Sequence, residues 1–151
     1  MLKHIYSVLC ERISTDENTH LVSYLSCVEG LTTTKLPVRL QNLAFGSRWH
    51  KYGESEEILK FRLSLVSTTG EEKVLIESEE LTVRSDNHRI NIALEGLLFE
   101  QAGIYTFRLR KQENGKWVVV HEIPLKVELK SSDMKKELIK HKSVKIPQSS
   151  N

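Results

Sequence analysis

Residues 103–110 read Gly103-Ile104-Tyr105-Thr106-Phe107-Arg108-Leu109-Arg110, and residues 114–119 read Asn114-Gly115-Lys116-Trp117-Val118-Val119. Tyr105, Phe107 and Leu109 alternate with Thr106, Arg108 and Arg110. That period of two is the mark of a strand with one face on a core and one in water. Asn-Gly is the strongest short hairpin signal, because both residues tolerate the positive φ of a type I′ turn. The partner strand runs through Trp117 and Val119 to Ile123, Leu125, Val127 and Leu129, with Pro124 suggesting an edge or a bulge.

The same period recurs upstream. Leu59, Phe61, Leu63 and Leu65 alternate with Lys60, Arg62 and Ser64. Thr68-Thr69-Gly70-Glu71 is a turn, Val74 and Ile76 carry the return, and Leu81 and Val83 extend it past a kink. His88, Ile90, Ile92 and Leu94 form another strand, and residues 96–103 connect it to the late hairpin. After Pro37, the residues Leu43, Phe45, Ser47 and Trp49 alternate with Ala44, Gly46, Arg48 and His50. No stretch before residue 131 has helical period, which argues against a βαβ sheet. The expected fold is all-β: an immunoglobulin-like antiparallel β-sandwich of about eight strands over residues 1–130. Residues 131–151 form a basic tail, a short helix capped by Asp133 through Met134, Leu138 and Ile139, and then disorder.

The N-terminal segments 4–13 and 20–28 read as a hairpin about Thr15-Asp16-Glu17-Asn18. A turn centred at Asp16-Glu17 sets Cys10 opposite Ser23 and Cys27 opposite Tyr6, too far apart to bridge. Ile5, Leu9, Val22, Tyr24 and Val28 then share one face, and Tyr6, Val8, Cys10, Leu21, Leu25 and Cys27 the other. A sandwich strand needs one apolar face for the core, so the second wants a cover. The expected cover is a second copy of the chain, in a homodimer burying at least about 1,000 Å². Candidate interface residues are Tyr6, Val8, Leu21, Tyr24 and Leu25, with Trp49 added because it stands among Arg48, His50, Lys51 and Tyr52, although a half-buried place in the core is its stronger expectation. The tail, through Leu138 and Ile139, is the other possible cover.

Composition excludes more than it identifies. With 39% hydrophobic and 28% charged residues, the 151-residue chain is globular in balance. The net charge of +2 is uneven. Lys135, Lys136, Lys140, Lys142 and Lys145 against Asp133 and Glu137 give the tail +3, which leaves −1 for residues 1–130. These five lysines are the candidate anion-binding residues, for nucleic acid or another polyanion, although a near-neutral fold makes a dedicated nucleic-acid binder the weaker expectation. Arg89, Arg108, Arg110 and Lys111 read as a solvated sheet face. No apolar run spans a bilayer. Residues 1–11 read as a strand and not a leader, so free thiols in a cytoplasmic protein are expected.

No catalytic, cofactor or metal site emerges. His4, His20, His50, His88, His121 and His141 are scattered without ligand spacing. The acidic runs at 54–57, 71–72 and 77–80 flank turns. Seven glycines are spread singly, so there is no phosphate loop. The expectation is a non-enzymatic interaction or structural module that self-associates, with an unidentified protein partner.

Three stretches stand in a suggestive order: Val8-Leu9-Cys10-Glu11; Leu43-Ala44-Phe45-Gly46-Ser47-Arg48-Trp49; and Leu98-Phe99 through Gly103-Ile104-Tyr105-Thr106-Phe107-Arg108. Together they resemble a family of small bacterial β-sandwich proteins of unknown function, over roughly residues 1–130, a single domain's length. The resemblance implies this fold and a bacterial source, and it brings no catalytic residues.

Overall fold

The computed structural model describes residues 1–131, where every regular element is a strand. In chain order these are β1 (Leu2–Thr15), β2 (Val22–Cys27), β3 (Gly30–Thr33), β4 (Val38–Leu40), β5 (Ala44–Lys51), β6 (Glu57–Leu59) and β7 (Phe61–Val66). They continue with β8 (Glu72–Glu77), β9 (Leu81–Val83), β10 (Asn87–Ala93), β11 (Leu97–Phe99), β12 (Gly103–Glu113) and β13 (Lys116–Leu129). Sheet I has the order β10-β5-β1-β2 and sheet II the order β3-β13-β12-β7-β8. Two short pairs, β11-β4 and β6-β9, complete the described strands. Placing β1, β5 and β10 in one sheet and β7, β12 and β13 in the other reproduces the division of an immunoglobulin-like sandwich. The Tyr105 hydroxyl donates to the Gln101 carbonyl at 3.1 Å and accepts from the Gln101 N–H at 3.2 Å. That tie at the entrance of β12 is the tyrosine corner of such folds.

Alternation chose the right faces. Leu43, Phe45, Ser47 and Trp49 point inward from the β5 segment, Phe61, Leu63, Leu65, Tyr105, Phe107 and Leu109 meet them from sheet II, and Leu59 of the short β6 joins the same core. Each fully buried side chain of this kind contributes about 1.5–3 kcal/mol. Arg62, Arg108 and Arg110 point outward, where Arg62 pairs with Glu77, and Arg108 and Arg110 share Glu72. Arg62 also lies 4.3 Å over the Trp117 ring. The solvated face expected of Arg89, Arg108, Arg110 and Lys111 is therefore split between two sheets. Arg108, Arg110 and Lys111 are neutralised by carboxylates on sheet II, and Arg89 belongs to sheet I.

Strand count and hairpin register need correction. The described chain has thirteen short or long strands where about eight are expected, because β4 stands apart from β5, Lys60 parts β6 from β7, β9 is separate from β8, and β3 and β11 lie in connections. Asn114 and Gly115 do carry positive φ, 49° and 76°, between β12 and β13. Pro124 lies where β13 has only β12 beside it, since β3 pairs with β13 from Lys126 onward. The first hairpin pairs Cys10 with Cys27 and Thr15 with Val22, not Cys10 with Ser23. Its loop is wider than a tight turn, because the Asp16 carboxylate accepts from the N–H groups of Asn18 and Thr19 and His20 turns left-handed at φ 57°. Among the described residues no helix is long and apolar enough to cross a membrane. The expected tail helix lies outside the described residues.

Candidate functional site

The outward residues of sheet I make three cross-strand rows. With Phe45, Ser47 and Trp49 inward, β5 turns Ala44, Gly46 and Arg48 outward. A bulge between His4 and Tyr6 resets β1 so that Tyr6, Val8 and Cys10 stand opposite Arg48, Gly46 and Ala44. On the other side, Arg89, Asn91 and Ala93 of β10 stand opposite the same three residues. The rows are thus Arg89–Arg48–Tyr6, Asn91–Gly46–Val8 and Ala93–Ala44–Cys10. Side chains shrink along β5, and the end of the first hairpin fills the space. An added Cβ on Gly46 would lie 2.6 Å from a Tyr24 ring carbon and 3.0 Å from Ile13 Cδ1.

Backbone geometry brings Tyr24 there. Ser26 adopts φ 56°, and the Glu11–Ser26 step is missing from an otherwise even ladder. A left-handed residue in one strand re-aims the side chains beyond it. Tyr24 therefore joins Tyr6, the hydroxyls 3.3 Å apart, and not Leu9, which faces the core. The expected division of the hairpin into two faces is wrong for this reason. Part of its apolar surface is covered by the chain itself.

The electrostatics of this face are unbalanced. Arg48 and Arg89 are directly opposite on neighbouring strands, an arrangement that costs energy for like charges. Among the described residues neither forms an ion pair with a carboxylate. Arg48 Nη2 donates to Asn87 Oδ1 at 2.7 Å, while its Nε is buried without an acceptor. A buried donor left unpaired costs about 1–3 kcal/mol. Burial and the bond with Tyr6 hold the Tyr24 hydroxyl well above its ordinary pKa, with Arg89 pulling the other way. Either hydroxyl of the Tyr6–Tyr24 pair can donate to the other. A groove of about 580 Å³ runs along Asn91, Ala93, Ala44 and Ile13, with Glu11, Arg12 and Glu95 as its charged lining residues.

The sequence-predicted site residues divide. Tyr6, Val8 and Tyr24 lie half-buried together on this face. Leu21 and Leu25 are exposed toward the hairpin tip. Trp49 is a correction: it is fully buried, with Nε1 donating to Ser47 Oγ at 3.0 Å, and cannot touch another chain. Its basic neighbours suggested a surface, but alternation with Arg48 and His50 turns it inward. Lys135, Lys136, Lys140, Lys142 and Lys145 lie outside the described residues. Arg48 is not among the residues singled out in the sequence, and Arg89, grouped there with Arg108 and Arg110, belongs to the other sheet. His4 and His121, scattered in the sequence, are brought by β1 and β13 to a ring separation of 5.0 Å. No group of three or more metal-type ligands occurs among the described residues.

A family model described as a family of unknown function (DUF6941) matches residues 5–128. The chain belongs to this family. No curated protein matches it. The DUF6941 match begins in β1 and ends in β13, so it contains both sheets and all of the Arg48–Arg89 face. The family's description assigns no activity, and function has to be argued from the chemistry of the site.

Proposed function

We propose that this DUF6941 domain is a non-enzymatic protein-interaction module that takes a carboxylate-bearing, extended segment of a partner on the outer face of sheet I. One observation carries the reading: two arginines face each other without a carboxylate among the described residues, and one has a buried N–H lacking an acceptor. A guanidinium pair of this kind matches carboxylate oxygens in geometry and charge. Supporting features are the Tyr6 and Tyr24 hydroxyls beside it and the position of β10 at the edge of sheet I. An added strand on an edge gains main-chain bonds, and its side chains supply the specificity. The near-neutral charge of residues 1–130 and the groove residues Glu11 and Glu95 favour a few placed carboxylates over a polyanion.

Anisotropy of a labelled peptide of alternating Glu and Val tests this. The wild-type chain should bind it, with affinity falling as salt is added. Arg89→Glu should weaken binding roughly tenfold or more, the scale of one charge-assisted hydrogen bond. Lys116→Glu, the same charge change on the late hairpin, should not. Equal losses in both variants, or no binding by wild type at millimolar peptide, refute the proposal.

Self-association is the second reading, favoured by the exposed Leu25 on β2, the opposite free edge of sheet I, and by the exposed Leu21 just before it. Open apolar edges are ready for pairing. Light scattering should then find a dimer at micromolar concentration, reduced to monomer by Leu25→Lys. A monomeric wild type removes this reading.

A further inference from the structure

The first hairpin holds a second feature, independent of the arginine face. Cys10 and Cys27 are direct cross-strand partners, and both are free thiols. The Val28 N–H donates to the Leu9 carbonyl at 2.8 Å, so the adjoining Leu9–Val28 position is the hydrogen-bonded one. Pairs alternate along an antiparallel ladder, which makes Cys10–Cys27 a non-hydrogen-bonded pair, the kind with Cα atoms about 4.5 Å apart. That spacing is inside the range a disulfide spans. The thiols differ in access: Cys10 is fully buried, and Cys27 is exposed.

We propose that Cys10 and Cys27 are a redox modification site, closing to a cross-strand disulfide that clamps the first hairpin over the outer face of sheet I. The exposed Cys27 thiolate attacks a low-molecular-weight disulfide, forming a mixed disulfide and releasing one thiol. The Cys10 thiolate then attacks Cys27 Sγ, forming the Cys10–Cys27 bond and releasing the second thiol. The two cysteines lose two electrons and two protons, and the small disulfide is reduced to two thiols. Burial, and after it the neighbouring Cys27, push the Cys10 thiol above its ordinary pKa, which disfavours it as the first attacker, and its cross-strand position opposite Cys27 is what favours the second step. The clamp lies beside Ser26, where the ladder is interrupted and Tyr24 is aimed over Gly46. Closing it removes freedom from the loop that carries Tyr24.

The full chain treated with oxidised glutathione tests the site. Intact mass should show loss of two hydrogens and no retained glutathione, and peptide mapping should link Cys10 to Cys27. Cys27→Ser should neither form the link nor carry glutathione at Cys10, and Cys10→Ser should stop at a single glutathione on Cys27. The Tm of the oxidised wild type should exceed that of the reduced form by several degrees, a difference absent from Cys27→Ser. A wild type that stops at the Cys27 adduct, cross-links only between chains, or forms the bridge without a rise in Tm overturns the proposal.

Discussion

The Tyr24 ring occupies the space in which a side chain on Gly46 would begin. Gly46 sits at the middle of β5, where a glycine weakens a strand unless another group approaches closely. Gly46→Ala should therefore destabilise the fold by about 1–3 kcal/mol, the scale of overpacking. Paired with Tyr24→Ala, the same change should cost less, because the closer clash is then gone and only Ile13 Cδ1, at 3.0 Å, has to give way. A double-mutant cycle in urea measures the coupling. Additive costs would show that Tyr24 does not rest on Gly46.

Acid should weaken the fold through His4. Burial first, and His121 second, pull His4 down to about 4 from an ordinary 6.5, and its Nε2 lies 2.7 Å from Ser7 Oγ. The unfolded chain protonates this group at the higher pH. Stability is therefore full above pH 6.5, falls as pH drops toward 4, and levels off below that for this residue. Urea midpoints of wild type and His4→Phe, taken from pH 7.5 to 4, should converge as the pH falls. A constant gap between the two would place His4 in solvent.

Glu72 acts in a lower window. The bond from Arg110 is the largest influence on it and draws its carboxylate down to about 2. Its contribution should persist above its unfolded pKa and fade as the pH falls toward 2. The group is partly exposed, so solvent screening limits the effect. Glu72→Gln should cost about 0.5–1 kcal/mol at pH 7. The cost should shrink in 1 M salt, and chemical denaturation at two ionic strengths reads it.

Phe107 is 1% exposed at the centre of β12. Truncation to Ala should cost about 3–5 kcal/mol. Thr106→Ala, on the outward side of the same strand, should stay within about 0.5 kcal/mol. Equal costs at the two positions would contradict the inward face assigned to β12.

The sequence alone determined the sandwich core. From Leu43 to Trp49, Leu59 to Leu65 and Tyr105 to Leu109, side chains must alternate across the sheet, so composition names the inward face without knowledge of the partner strand. Asn114-Gly115 was legible for the same local reason, since its turn depends on two residues. The candidate site was not local. Arg48 opposes Arg89 because β5 pairs with β10, and Cys10 opposes Cys27 because Asp16 widens one loop. Tyr24 covers Gly46 beside a left-handed Ser26. Alternation says which way a residue points, but register and strand order decide what it meets. Those depend on contacts between segments far apart in the chain, and only the tertiary structure supplies them.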